Sequence, residues 1–259
     1  MEIRLENDKE TFEIHFRDKE INGIIGTNQE EIVNKICLKN KRKTKIMIDK
    51  KELSKQEEKK YKEKIKIVEE NINIFYFQYK VYEYLYYEIK RSLIPFENPK
   101  KKIIDTLKIV GLDITYLNKN IKDLSSSERK LLQIGVALMF NPEIIVMVEP
   151  FQYFDRKIER RMIILFQKMK EFYDKTIILI SKDANMIYKY TNYLIIEKNH
   201  KILLETETKE IYQKVDFLME NKIELPDIVE FTYLARKRGA KIDYHKDLRD
   251  LIKDIYKHV

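Results

Sequence analysis

Residues 123–155 read DLSSSERKLLQIGVALMFNPEIIVMVEPFQYFD, and this stretch decides the fold. Ser125, Ser126 and Ser127 open a segment with helical apolar spacing, and Asn141-Pro142 closes it. An apolar run, Ile144 to Val148, then leads straight into Glu149-Pro150. A buried strand that delivers one carboxylate at its C-terminal end is how open α/β sheets place a catalytic acid or metal ligand. An ordinary helix, turn and core strand with an exposed Glu fits the same letters, so the order of the neighbouring pieces has to decide.

Upstream, Glu2 to Leu5 and Thr11 to Phe16 alternate like strands of an antiparallel edge. Ile21 to Gly26 is a more apolar strand that ends in Gly26-Thr27-Asn28-Gln29, after which Glu30 to Leu38 has helical spacing. Strand, glycine turn and helix is the topology of a P-loop. Lys45 to Asp49 predicts a short strand, Ser54 to Glu70 a highly charged exposed helix, and Asn71 to Gln78 a buried strand. Lys101 to Val110 is a helix closed by Gly111. Downstream come a helix over 157–173, a buried strand over 176–181, a short helix over 184–190 and a closing strand pair over 193–197 and 201–204. After Pro226, residues 228–238 and 247–256 read as two helices.

In this order the pieces resemble an ABC-type ATPase. Leu124-Ser125-Ser126-Ser127-Glu128 stands where that family has its LSGGQ signature, Val148-Glu149-Pro150 where it has Asp-Glu-Pro, and Phe154-Asp155 at the end of the D-loop. Gln78, in Phe77-Gln78-Tyr79, matches the Q-loop glutamine that senses Mg2+, and Ser181-Lys182-Asp183 matches the switch Thr-His-Asp. The resemblance implies an α/β, ABC-type P-loop NTPase fold. Its parts are a mixed sheet flanked by helices, an antiparallel edge and a helical signature subdomain at about 79–140. The ATPase-like domain is expected over 1–215 and a small helical, dimerisation-type subdomain over 216–259. Leu225-Pro226-Asp227 through Gly239, with His245-Lys246-Asp247-Leu248, resembles the C-terminal piece of energy-coupling factor (ECF) transporter ATPases.

The motifs are eroded. The family's Walker A loop wraps phosphates with backbone N–H groups and a lysine. Here Gly26 to Glu31 is about three residues shorter than that loop, lacks the lysine, and carries two carboxylates where phosphates would lie. Like charges at a few ångströms in a cleft cost several kcal/mol. Val148 replaces the Mg2+-orienting aspartate, while Glu149 keeps the general-base position. Ser125 reads two ways, as a plain N-cap boxed by Glu128 or as a phosphate-facing hydroxyl at a helix N-terminus. Lys182 reads as a phosphate-facing cation or as a surface lysine. Nucleotide-binding candidates by resemblance are Gly26, Asn28, Gln78, Ser125, Ser126, Ser127, Glu128, Asp155 and Lys182, with Glu149 catalytic and Gln78 the Mg2+ contact.

Composition bounds the partners. The net charge of +8 comes from 51 basic and 43 acidic residues that are interspersed, so a nucleic-acid partner is not expected. The single Cys37 excludes an internal disulfide, and a cytoplasmic protein is expected. The resemblance implies ATP and Mg2+ as cofactors. It also implies a peripheral place on the cytoplasmic face of the membrane in an importer for a vitamin or metal ion. The expected partners are a second, competent ABC ATPase in a heterodimer, a transmembrane coupling subunit and a substrate-binding membrane subunit. In that pairing this chain lends its signature to the partner's ATP. The aromatic run from Phe75 to Tyr87 reads equally as a docking surface for the coupling subunit and as helix-to-sheet packing. Two rival readings are an inactive ABC-fold scaffold outside transport and a nucleic-acid-linked ABC protein; against the second, this sequence shows no long coiled-coil insertion between the Walker motifs.

Overall fold

A computed structural model describes residues 1–6, 11–26, 28–39, 45–92 and 94–257; Thr27 of the glycine turn lies outside them. Strands β1 (Glu2–Glu6), β2 (Thr11–His15) and β3 (Ile21–Ile25) precede helix α1 (Gln29–Ile36), then come β4 (Lys45–Ile48), β5 (Lys51–Glu52) and α2 (Lys55–Lys64). The middle of the chain holds β6 (Ile65–Val68), α3 (Val81–Ser92), α4 (Pro99–Val110), α5 (Ser126–Met139), β7 (Ile144–Val148) and α6 (Arg156–Tyr173). It closes with β8 (Thr176–Ser181), α7 (Ala184–Tyr190), β9 (Tyr193–Lys198), β10 (Lys201–Glu207), α8 (Val215–Glu220), α9 (Asp227–Lys237) and α10 (Leu248–Lys257). Two compact units result: Met1–Glu58 with Thr176–Val259, and Lys59–Lys175.

The first unit contains an antiparallel sheet in the order β2-β1-β4-β5. Its strands alternate as half-buried sheets do: Ile3, Leu5, Phe12 and Ile14 are buried, while Glu2, Arg4, Glu13 and His15 share the other face. Beside it in sequence, β3 lies between β9 and β8 and is parallel to both, and β10 pairs antiparallel with β9. Every residue of β3 and β8 is buried, as expected of parallel strands covered on two faces. The register Ile25↔Ser181 and Ile25↔Ile196 puts Gly26, Lys182 and Glu197 at three adjacent strand ends. The two tail helices stand as expected, and Lys246 Nζ donates to the Thr191 carbonyl at 2.6 Å.

In the second unit β6 and β7 pair parallel, with Val68 opposite Met147, and α4 packs on α5. Gly111 ends α4 in the left-handed region, φ 75°, as the glycine predicts. Two expectations fail here. The charged helix stops at Lys64 rather than Glu70, because Ile65-Lys66-Ile67-Val68 pairs with β7 as a strand. Asn71 to Gln78 is not a buried strand: Ile74–Gln78 is a 3-10 turn, with Ile74 77% and Phe75 50% exposed. The Asn73 side chain accepts the Phe75 N–H at 2.9 Å, a local bond that competes with strand pairing. Tyr76 instead joins an aromatic cluster with Tyr84 and Tyr87 on α3.

Candidate functional site

In the first unit the residues after β3 occupy the place of a phosphate-binding loop. Gly26 is buried, and a Cβ there would lie 2.8 Å from Glu197 Oε2, so the backbone passes close to this carboxylate. Glu197, 2% exposed, accepts the His200 N–H at 2.7 Å and, at a long 3.4 Å, the Asn28 N–H. An amide that a P-loop would offer to a phosphate is thus turned toward a carboxylate of the protein itself. Asn28 stands at the N-cap of α1 but makes no side-chain cap bond. Its side-chain nitrogen lies 3.3 Å from His200 Nδ1.

Glu31, in the first turn of α1, bonds Lys35 Nζ at 2.7 Å and also His200 Nδ1. Partial burial acts to raise its carboxyl, but hydrogen bonds from Lys35 and His200 outweigh this and hold it below the ordinary carboxylate range. Lys35 is 7% exposed and lies 4.2 Å from the centre of the Phe12 ring. The helix lysine and the first-turn carboxylate of α1 are thus bonded to each other. Lys182 is exposed, and Asp183 next to it caps α7 by accepting the Met186 N–H at 3.0 Å.

The second unit presents the signature end. Ser125 is the N-cap of α5: its hydroxyl accepts the Glu128 N–H at 3.2 Å while Glu128 Oε2 accepts the Ser125 N–H at 2.7 Å. This reciprocal box satisfies two end groups of the helix. Ser127 Oγ lies 3.1 Å from Ser125 Oγ, so Ser125, Ser127 and Glu128 form one bonded group, with Ser126 exposed beside it. The Tyr116 hydroxyl donates to Glu128. Burial raises the Glu128 carboxyl, yet the Tyr116 and Ser125 donors bring it below its ordinary value.

Glu149 follows β7 with φ 44°, the left-handed region that a non-glycine residue rarely adopts. Val148, 8% exposed, offers no side-chain ligand for a metal. Asp155 caps α6 by accepting the Lys157 and Ile158 N–H groups, both at 2.8 Å, and Gln78 is the exposed last residue of the 3-10 turn.

Lys130 was not foreseen. It is 1% exposed, and its Nζ donates to the carbonyls of Val148 at 2.7 Å, Glu69 at 2.7 Å and Glu70 at 3.1 Å. One ammonium therefore ties α5 to the C-terminal ends of both β6 and β7, immediately before Glu149. Burial pulls its pKa down to about 8. Glu197 and His200 were also missed. The signals were a lysine on the apolar face of a helix and a glutamate ending an apolar strand run.

The described residues include no helix long and apolar enough to cross a membrane. The family model for ABC transporters matches residues 12–152, more than half of the chain. Energy-coupling factor transporter ATP-binding protein EcfA3 of Oenococcus oeni is 27% identical over 159 residues, 61% of this chain and 55% of that protein. EcfA2 of Enterococcus faecalis is 28% identical over 145 residues, 56% of this chain and 49% of that protein. The match thus spans about half the length of these curated relatives. Among solved structures, cbiO1 from Clostridium perfringens superposes with a TM-score of 0.68 at 19% identity, covering 89% of this chain and 98% of that one. A dimeric ATP-binding cassette bound to ADP and Pi gives 0.66 at 20% identity, covering 80% and 98%. These two likenesses establish the fold. With its family model running from the second strand through the turn that carries Glu149, the chain belongs to the ABC transporter family.

Proposed function

We propose that this chain is the ATPase-fold subunit of an ECF-type importer, and that it lends its signature helix to an ATP site built on a partner's Walker motifs. The observation that carries the reading is the contrast between its two halves of nucleotide machinery. The Ser125 cap keeps a hydroxyl and the first-turn amides of α5 at a helix N-terminus. After β3 the Asn28 N–H is turned to Glu197, and Glu31 is bonded to Lys35 and His200. The names of the curated relatives supply the ECF class, and the partners follow from it: a competent ABC ATPase and membrane-embedded coupling and substrate-binding subunits.

In this reading ATP and Mg2+ are held chiefly by the partner. Ser125 and the amides of Ser126 and Ser127 donate to the terminal phosphate, which concentrates positive potential where negative charge develops. Glu149 keeps the general-base position of this chain's own site, where Val148 supplies no Mg2+ ligand. Gln78, Asp155, Lys182, Gly26 and Asn28 keep their places in the motif order without a complete phosphate grip around them. Residues 1–215 are assigned to the ATPase-like domain and 216–259 to the subdomain that pairs the subunits.

Calorimetry with magnesium-ATP tests the loop directly. The isolated chain is expected to bind more weakly than about 1 mM, a binding free energy of roughly −4 kcal/mol or less in magnitude. Micromolar binding to the isolated chain would sink the proposal. Turnover should arise only when a competent ATPase of the same class is added.

A further inference from the structure

A second constellation lies on the antiparallel sheet of the first unit, on residues that the nucleotide machinery does not use. The register of β1 and β2 sets Glu2 directly opposite His15, and Glu13 lies two residues from His15 on the same face. Glu205 of β10 completes the group. Its Oε1 accepts the His15 backbone N–H at 2.8 Å and its Oε2 lies 2.8 Å from His15 Nδ1. With Glu205 against Nδ1, Nε2 is left directed at the two other acids. Glu2 Oε2 is 3.6 Å from Nε2 and Glu13 Oε1 is 3.4 Å from it. Both distances exceed the 2.7–3.2 Å of a good N–H···O bond, roughly stated.

They do match another geometry. Bonds of about 2.0–2.1 Å from a tetrahedral ion put its ligand atoms about 3.4 Å apart. The three candidate ligand atoms, one from each of Glu2, Glu13 and His15, all lie within 4.8 Å of one another. The Glu205 contact on Nδ1 is the carboxylate–histidine arrangement that orients a metal-bound imidazole. The charge balance favours a cation as well. Arg4 reaches Glu13 from 3.8 Å, but it is shared with Glu6. Glu2 and Glu205 are also half withdrawn from water, with side chains 16% and 19% exposed.

The geometry points to a divalent-cation site with Nε2 of His15, Glu2 and Glu13 as ligands and Glu205 as the positioning residue. An imidazole beside two carboxylates suits a borderline transition ion such as Zn2+ better than Mg2+ or Ca2+. Three protein ligands leave a fourth position to water. Binding would staple β1 to β2 and, through Glu205, to β10. The inference is independent of the ATPase reading, since none of these residues belongs to it.

The test is a titration of the chelator-treated full chain with Co2+ and then Zn2+, in excess Mg2+. One ion should bind per chain, with the visible absorption of tetrahedral Co2+ that Zn2+ displaces. His15→Ala and Glu13→Gln should each weaken binding at least ~10-fold, and Glu205→Gln by ~10- to 100-fold with an unchanged number of ligands. His200→Ala, which alters a different imidazole, should leave the titration unchanged. The His15 and Glu13 side chains are 42% and 41% exposed, and metal-free melting curves identify any variant that misfolds; Glu13→Gln then carries the test. An absent tetrahedral signal, or affinity unchanged in His15→Ala and Glu13→Gln, overturns the assignment.

Discussion

Helices α1 and α5 start from the same physics, each with first-turn amides that lack an acceptor within the helix itself and with the positive end of a helix dipole. Each also carries a buried lysine, Lys35 at 7% and Lys130 at 1% exposure. What surrounds them differs. In α1 the lysine turns back to Glu31 of its own first turn, and Glu197 faces the residues just ahead of the helix. In α5 the lysine reaches away to three carbonyls, and the N-terminus is closed by its own Ser125–Glu128 box, with serine hydroxyls left at the surface. The anion of α1 stands against the residues that lead into the helix, whereas Glu128 of α5 is folded back onto the Ser125 N–H and leaves the serine hydroxyls at the surface.

The strongest way to break this contrast is to remove the inward anchor of α5. Lys130→Met leaves three carbonyl oxygens without their donor and should lower stability by about 2 kcal/mol at pH 7.5, read from urea midpoints. The pH course has a definite sign. Burial lowers the Lys130 pKa to about 8 from an ordinary 10.5, so the unfolded chain holds this proton more firmly between those values. The group's contribution therefore rises as pH climbs from about 8, and the deficit of the variant should widen by about 2 kcal/mol by pH 10. A variant as stable as the parent at both pH values would refute the anchoring role.

Next in size is the functional contrast. With a competent partner ATPase, Ser125→Glu should cut hydrolysis ~100-fold, because a carboxylate then faces the phosphate. Glu31→Gln on α1 should change it less than ~2-fold. Equal losses from the two would erase the distinction between the helix ends. The smallest effect tests the cap alone: Glu128→Ala should cost about 1 kcal/mol in the isolated chain, measured by the same urea midpoints. No loss at all would mean that the box contributes nothing to holding α5.

Most of the architecture could be read from the letters because long elements repeat their signal. The run Ile144 to Val148, the helix beyond Asp155 and the glycine after Val110 all sit where expected. The failure came in a short stretch. Asn71 to Gln78 alternates like a strand, whereas Ile65 to Val68, with Lys66 inside it, does not look like one. Lys66 is tolerated because it lies 4.9 Å from the centre of the Phe140 ring, a contact invisible in a linear reading. The site was legible in the same uneven way. Local motifs such as Ser125 and Glu128 found their cap, because their partners are three residues away. Glu197 and His200 lie more than 160 residues from Asn28 and Glu31, and only the parallel register of β3 and β9 brings them together.

The convergence of Glu69, Glu70 and Val148 oxygens on one amine has a mechanical corollary. Rolling helix α5 about its own axis would stretch those tethers, so they couple the helix to the ends of β6 and β7. Glu149, one residue beyond a tether and held in a backbone conformation with little slack, would be carried along with it.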